Sequence, residues 1–164
     1  RIRKPMQQTT GLIITPGDPR EAGAAGLLRQ SHELMRALFP PEDNFFLDID
    51  ALCAADIHFF VARRGDETLG TGALALREGY GEVKSMFVAE AARGQGVAGA
   101  LLDRIEAEAR ALGLPFLRLE TGTLLNDAHR LYARHGYVQS GPFGDYPDAA
   151  SSVFMEKALG PSRG

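Results

Sequence analysis

An apolar run, a glycine-rich stretch and a segment with helical spacing follow one another near the middle of the chain. Residues 83–88 are mostly apolar, and residues 93–99 read Arg-Gly-Gln-Gly-Val-Ala-Gly. After the glycines, apolar side chains recur at spacings of three and four, which places one apolar stripe along a helix. The stripe consists of Val97, Leu101, Leu102, Ile105, Ala109 and Leu112. The pattern therefore predicts a strand, a turn and a helix, in that order.

Short apolar and alternating runs on either side of this unit predict the remaining elements. We expect strands at 10–15, 57–63, 68–77, 82–88, 116–121, 137–139 and 152–157, and helices at 19–38, 48–55, 97–112 and 126–135. Short turns join the second, third and fourth strands into an antiparallel meander, whereas a helix separates the fourth from the fifth and makes them parallel neighbours. The sequence thus predicts one α/β domain over residues 1–164, with a central mixed sheet and about four helices. Residues 1–8 are expected to form a loose basic end.

The glycine-rich stretch is a candidate binding site for a diphosphate. The start of a helix presents backbone N–H groups without partners and the positive end of the helix dipole. Because glycines leave room for a ligand to reach these groups, residues 93–99 predict an anion site. A Walker A loop is excluded, since it needs Lys and then Ser or Thr after its last glycine, whereas Val97 and Ala98 follow Gly96.

Residues 94–99 also match the dinucleotide fingerprint G-x-G-x-x-G. In a Rossmann unit the glycines lie directly at the strand end, but here residues 89–93 separate them from the apolar run. The upstream pattern is one of hairpins and not of β-α-β units. An NAD(P)-binding oxidoreductase therefore stays as an alternative function, in which Glu120 would hold a ribose.

Three motifs in order resemble the GNAT family of N-acetyltransferases. Arg93, Gly96 and Ala98 fill the fixed places of its motif Q/R-x-x-G-x-G/A. Residues 82–88 resemble its fourth strand, and residues 131–137 (Leu-Tyr-Ala-Arg-His-Gly-Tyr) resemble its L-Y-x-x-x-G-F/Y signature. The resemblance covers roughly residues 59–159 and is strongest to small, stand-alone bacterial members, which also share the Glu-Thr-Gly at 120–122 and the Pro-Phe-x-x-Tyr at 142–146.

The resemblance implies a fold, a co-substrate and a set of binding residues. The two parallel strands would splay apart, and acetyl-CoA would lie in the gap as the acetyl donor, with the N–H of Val88 polarising its carbonyl. Transfer would be a direct attack in a ternary complex, with Tyr132 as the general acid. The residues expected to bind the cofactor are Met86, Phe87, Val88, Arg93, Gly94, Gln95, Gly96, Val97, Ala98, Gly99 and Asn126. Relatives carry an Asn at the place of Leu125, so Asn126 is either a shifted cofactor ligand or only a helix N-cap.

Two candidates remain for the catalytic base, and more than one class of acceptor remains open. An alkyl ammonium, with a pKa near 10, must lose a proton before it can attack. Glu82 lies where some relatives carry their base, and Glu120 lies on the neighbouring strand, so both remain candidates. The acceptor side is expected to be built from Met35, Phe39, Phe45, Phe46, Phe143 and Tyr146. This lining favours a small primary amine, with a peptide amine or a non-catalytic CoA-sensing module as alternatives.

Composition and charge narrow the partners, location and cofactors that we expect for this chain. The chain has 164 residues and a net charge of −3, which argues against a general nucleic-acid surface. It has no run of about 18 apolar residues, so no membrane span is expected. The lone Cys53, expected as a small buried side chain, excludes an intrachain disulfide, and with no signal-peptide pattern we expect a cytoplasmic protein. The four histidines show no metal-ligand spacing, so no metal is expected. Because the chain opens on Arg1, we expect that a segment precedes it. The family resemblance is compatible with a homodimer.

Overall fold

Seven strands form one mixed sheet through the middle of the molecule. The computed structural model describes residues 11–160. The strands are β1 (Leu12–Pro16), β2 (Ile57–Arg64), β3 (Glu67–Arg77), β4 (Tyr80–Val88), β5 (Phe116–Gly122), β6 (Val138–Ser140) and β7 (Ser152–Ala158), and the helices are α1 (Ala22–Leu38), α2 (Val97–Ala111) and α3 (Asn126–Arg134). In space the strands are ordered β1-β2-β3-β4-β5-β7-β6. The loose end predicted for residues 1–8 lies outside the described residues.

Two of the predicted helices differ in the structure. α1 begins at Ala22 because the carboxylate of Asp18 accepts the N–H of Arg20 at 2.9 Å and keeps the preceding residues in a turn. The helix predicted at 48–55 is wrong, since that segment holds only a 3-10 turn at Ala51–Cys53. Three helices, not four, are therefore described in residues 11–160. Cys53 is exposed, contrary to the expectation that it is buried.

The predicted splay between the parallel strands is confirmed. β4 and β5 pair only at Gly81 with Leu117 and at Glu82 with Arg118, and beyond these pairs the strands part. On its other side β4 stays paired with β3 along its length, with one bulge at which Ser85 adopts a left-handed φ of 57°. The Thr71 hydroxyl donates to the Ser85 carbonyl at 2.8 Å and holds the bulge in place. The sheet is thus closed on one side of β4 and open on the other.

The core lies on both faces of the sheet. Successive residues of β2 point to opposite faces, so Phe60 packs in the cluster that contains α2, and Phe59 packs in the cluster that contains α1. The predicted stripe on α2 is buried from Val97 to Ala109, whereas Leu112 is 46% exposed just after the helix end. α3 packs on the same side as α2 through Leu131 and Tyr132. Both helices therefore border the gap between β4 and β5.

Candidate active site

The turn between β4 and α2 opens a groove that can accept an anion. Gly94 and Gly96 have φ values of 78° and 81°, a conformation that costs any residue with a Cβ atom. Gly96 is also the N-cap of α2 and offers no side chain to its N–H groups. These groups therefore face the groove, which we call the α2 groove. It is bounded by the turn, by residues 86–88 of β4 and by α3.

Arginine side chains add positive charge to the α2 groove. Arg93, Arg130 and Arg134 line it, against Asp127 as the acid. The Arg93 Nε donates to the Val88 carbonyl at 3.3 Å, and its guanidinium lies 5.7 Å from the centre of the Phe87 ring. A groove with guanidinium groups and free helix N–H groups fits a diphosphate.

The structure separates two of the predicted cofactor residues, Gln95 and Asn126. The Gln95 side chain does not line the groove, because its oxygen accepts from Arg64 at 3.1 Å and its amide donates to the Ala91 carbonyl at 3.3 Å. It supports the shape of the turn. Asn126 does line the groove, and the alternative that it is an N-cap is wrong, since Leu125 occupies the cap position of α3.

The N–H of Val88 points into the gap. The next N–H along the strand, that of Ala89, donates to the Leu69 carbonyl of β3 at 2.8 Å. Because successive N–H groups of an antiparallel strand point in opposite directions, the N–H of Val88 faces away from β3, where β5 has parted from β4. This is the orientation that an oxyanion donor needs.

A second cavity lies where the two strands separate, and we call it the transfer cavity. Its walls come from α1, from the segment after α1, from β4, β5 and α3, and from the turn before β7. The lining side chains include Ser31, Met35, Phe39, Asp43, Phe45, Phe46, Lys84, Ser85, Glu120, Tyr132 and Ser151. Tyr132 also lines the α2 groove, so its side chain stands where the two spaces meet.

The Tyr132 phenol is buried and stays protonated. Burial raises the pKa of its phenol well above the usual range, and the nearby Glu120 carboxylate raises it further. The side chain is 6% exposed and makes an edge contact with the Tyr137 ring, with 5.7 Å between the ring centres. The His129 ring, one turn earlier on α3, bonds the Gly122 carbonyl at the end of β5 at 2.8 Å. This bond fixes α3 against the strand that carries Glu120.

The structure separates the two candidate bases. Burial raises the pKa of the Glu120 carboxyl; the Lys84 ammonium opposes this, and the carboxylates of Glu82 and Asp43 add to it. The Glu120 carboxylate accepts from the Ser152 hydroxyl at 2.7 Å and lines the transfer cavity. A carboxyl with a raised pKa is a better proton acceptor near neutral pH, which favours Glu120.

Glu82 is buried and already has three partners. It is 2% exposed, accepts from Arg77 at 3.0 Å and from the Tyr146 hydroxyl through a short contact, and forms an ion pair with the Lys84 ammonium at 3.6 Å. It lines a neighbouring space, which we call the outer cleft, together with Phe45, Tyr146 and its other partners. It does not line the transfer cavity.

Lys84 is a site residue that the sequence did not reveal. Its side chain is 8% exposed, and its Nζ donates to the Phe45 carbonyl at 3.0 Å and to the Tyr146 hydroxyl at 2.7 Å. Burial lowers the pKa of its ammonium, while the Glu82 and Glu120 carboxylates work against that change. In sequence, a lysine two residues after a glutamate on a strand indicates a solvent-facing pair. Only the fold shows that two loops cover it.

The predicted acceptor residues divide into two groups. Met35, Phe39, Phe45 and Phe46 line the transfer cavity. The Phe39 ring lies so close to the end of β5 that a Cβ atom built on Gly122 would stand 2.2 Å from it.

The other two residues lie on the loop before β7. Tyr146 lines the outer cleft. Phe143 lines neither space but packs behind Tyr146, with 5.1 Å between the ring centres, and against Phe154 at 5.7 Å. Its contribution to the acceptor side would therefore be indirect, through the position of Tyr146.

The histidines make other contacts. The His32 ring stacks on Phe46 with 4.1 Å between the ring centres, and His58 bonds Glu108 at 2.6 Å. No group of three metal-ligating side chains is found among residues 11–160. Over the same residues, no helix has the length and apolar character needed to span a bilayer.

The similarities to known proteins agree with this geometry. A family model described as an acetyltransferase (GNAT) domain matches residues 55–139. The chain is 43% identical over 150 residues to the IAA acetyltransferase of Azospirillum brasilense, covering 90% of this chain and 98% of that one.

Solved structures share the fold. A protein from Klebsiella pneumoniae assigned as an acyl-CoA N-acyltransferase has a TM-score of 0.76 at 32% identity, with 90% of this chain and 97% of that chain covered. A GNAT family acetyltransferase from Elizabethkingia anophelis with acetyl-CoA bound has a TM-score of 0.66 at 17% identity, with 91% and 99% covered. The dinucleotide-binding alternative is wrong, because the sheet has one parallel pair and not repeated β-α-β units.

Proposed function

The chain belongs to the GNAT family of acetyltransferases and takes its acetyl group from acetyl-CoA, and on this premise we propose that it acetylates the primary amine of a small molecule by direct attack. One observation carries the proposal. A single cavity is lined by a carboxyl of raised pKa, Glu120, and by a protonated phenol, Tyr132. Base and acid are thus available around one reaction centre without a covalent enzyme intermediate.

The α2 groove supplies the donor side of the reaction. The N–H groups at the start of α2 and the Arg93 guanidinium would hold the diphosphate, and residues 86–88 would bond the pantetheine arm along the open side of β4. The N–H of Val88 would donate to the thioester oxygen and stabilise the negative charge that develops there. Asn126 lines the same groove and would contact the arm.

Glu120 and Tyr132 would move the two protons. The Glu120 carboxylate accepts a proton from the acceptor's ammonium, and the freed lone pair forms the new C–N bond. When the C–S bond breaks, the Tyr132 hydroxyl gives its proton to the sulfur, and the resulting phenolate takes up the second proton, which the nitrogen of the new amide releases. Glu82 would serve a structural purpose, because its oxygens are bonded to Arg77 and Tyr146.

The walls of the transfer cavity favour a small acceptor with an apolar body. Met35, Phe39, Phe45 and Phe46 surround the space, while Asp43 joins Glu120 in attracting an ammonium. A peptide would need an open channel, whereas the loops at 39–47 and 143–147 meet over the site through Lys84.

The test is acetylation of a defined set of candidate acceptors. The protein would be incubated with acetyl-CoA and, in separate reactions, with 2-phenylethylamine, spermidine, IAA (the compound in the name of the Azospirillum relative) and a lysine peptide. Released thiol and the acetylated product would be measured. We expect 2-phenylethylamine to react fastest, and Tyr132→Phe to lower kcat by about 100-fold or more with acetyl-CoA affinity retained. Acetylation of the peptide alone, or of none of these compounds by protein that binds acetyl-CoA, would contradict the proposed acceptor class.

Location and assembly are the remaining parts of the proposal. We expect the enzyme in the cytoplasm, where acetyl-CoA and small amines are both present, and we expect no nucleic-acid partner at a net charge of −3. A homodimer is an expectation from the family resemblance. Cell fractionation and analytical ultracentrifugation measure these two properties directly.

A further inference from the structure

We propose that Lys84 is a positioning residue that fastens both loops of the acceptor side to the central sheet. The loops are residues 39–47, which follow α1, and residues 143–147, which precede β7. The term "acceptor side" rests on the proposed function, but the fastening itself is a property of the protein without ligands.

The Lys84 ammonium has three partners within the protein. It donates to the Phe45 carbonyl in the first loop and to the Tyr146 hydroxyl in the second, and it forms an ion pair with the Glu82 carboxylate on β4 itself. Lys84 therefore holds each loop through one hydrogen bond, while the ion pair holds its ammonium against the sheet.

Each loop has a separate attachment on its outer side. Phe46 is sandwiched between the His32 ring and the Arg36 guanidinium, which ties the first loop to α1. Tyr146 packs against Phe154 at 5.7 Å, which ties the second loop to β7. α1 and β7 lie on different parts of the molecule, so these attachments do not relate one loop to the other.

The two loops meet directly in one aromatic contact. The rings of Phe45 and Tyr146 touch edge to face with 5.4 Å between their centres. Such a ring contact is weaker than hydrogen bonds to a buried charge. Lys84 is therefore the group that sets the distance between the loops, and with it the width of the entrance to the transfer cavity.

Hydrogen exchange of the ligand-free chain tests the proposal. Lys84→Met keeps the length of the side chain and removes its donors, while Glu82 keeps Arg77 and Tyr146 as partners. We expect peptides from residues 39–47 and from residues 143–147 to exchange about tenfold faster together, with β3 and α2 unchanged. The matched control is Lys157→Met, which removes another lysine that is paired with a buried glutamate, at 2.8 Å from Glu106. It should leave both loops at the wild-type rate.

Each outcome decides the proposal. Unchanged exchange in both loops of Lys84→Met, or a change in one loop only, overturns it. If Lys84→Met fails to fold, Tyr146→Phe replaces it, since this variant removes one of the ammonium's acceptors. Tyr146→Phe should speed exchange in residues 143–147 and leave residues 39–47 protected, and no change in residues 143–147 overturns the proposal.

Failure here is distinguishable from failure of the proposed function. Calorimetric titration with acetyl-CoA should give the same affinity for wild type and Lys84→Met within about twofold, because the diphosphate site lies in the α2 groove, which Lys84 does not line. Loss of binding in the wild type would remove the proposed function and leave the exchange result standing.

Discussion

Two buried glutamates in this protein have the same set of partners and different surroundings. The Glu82 carboxylate forms ion pairs with Arg77 and Lys84 and accepts a hydrogen bond from the Tyr146 hydroxyl. We call these four residues the site cluster. The Glu106 carboxylate forms ion pairs with Arg110 and Lys157 and accepts a hydrogen bond from the Tyr137 hydroxyl. We call these four residues the core cluster. Each cluster thus consists of one glutamate, one arginine, one lysine and one tyrosine. The two glutamates are 2% and 4% exposed, so the burial of the charge is also alike.

The difference lies in what the clusters join. The core cluster connects α2 with β7 and with Tyr137 just before β6, all of which are packed elements of the main core. The site cluster connects β4 with two loops beside the transfer cavity. The same chemistry therefore adds to global stability in one place and sets the geometry of a binding site in the other.

The largest expected effect tests whether the chemistry lies outside the site cluster. Glu120→Gln removes the proposed base and should lower kcat/KM by about 100- to 10,000-fold, because general base catalysis contributes that much. Steady-state kinetics with the best amine would measure it. Glu156→Gln, in which the altered group pairs with Arg118, is the control and should keep near wild-type activity. If Glu82→Gln alone showed the large loss, the site cluster would contain the base after all.

The second prediction compares the two glutamates directly. Glu106→Gln should lower the free energy of unfolding by about 3 kcal/mol, since it leaves Lys157 without its buried counter-charge. Glu82→Gln should lower it by less than half as much, because loop opening lets water reach Lys84 without global unfolding. Denaturant titration measures both. Equal losses in the two variants would mean that the clusters are energetically equivalent.

The two tyrosines provide a finer comparison. Tyr137→Phe should lower the free energy of unfolding by about 1 kcal/mol and leave the acceptor KM unchanged, as expected for one lost hydrogen bond in a core. Tyr146→Phe should raise the acceptor KM several-fold, because the second loop loses its bond to Lys84. Thermal unfolding and kinetics on both variants form a matched set. A raised KM in Tyr137→Phe would break the distinction.

The smallest effect is a displacement of the pH profile. Burial raises the pKa of Glu120, and the Lys84 ammonium lowers it. The other titratable groups that interact with Glu120 are Glu82 on β4, Asp43 after α1, Tyr132 on α3 and Tyr146 before β7. Removing the ammonium in Lys84→Met leaves only the Ser152 hydrogen bond to oppose burial, so the pKa of Glu120 rises and the acid limb of kcat/KM moves to higher pH. Lys157→Met should leave the limb in place, and a movement to lower pH in Lys84→Met would contradict the assignment of the base.

The sequence predicted most of the framework, because strands and helices follow local periodicity. The stripe on α2 and the parallel pair of strands were both read from spacing and connection length. The helix predicted at 48–55 is wrong because the Asp48 carboxylate accepts the N–H of Ala51 at 2.7 Å and closes a short turn in place of a helix. Local bonds of this kind compete with helix formation and leave no periodic signal.

The candidate site was predictable where a motif carries it and not where loops meet. The turn at 93–99 and Tyr132 were named from sequence motifs. Lys84 was missed because its partners lie 39 and 62 residues away along the chain. The left-handed Ser85 was missed as well, since nothing in its residue type favours that conformation. Long-range contacts of this kind exist only once the sheet has formed.

The short pairing between β4 and β5 affects how the sheet would accommodate the arm of acetyl-CoA. Two residue pairs are the only ladder that joins the panel β1–β4 to the panel β5–β7 in the described residues. A pantetheine arm in the gap would act as an added strand. Each turnover would insert this strand into the middle of the sheet and withdraw it again. The panels stay in register between turnovers because one apolar core, from Phe60 and Leu74 to Leu119 and Met155, runs beneath both. That core holds the two panels together, so the short pairing between β4 and β5 is not needed for this purpose.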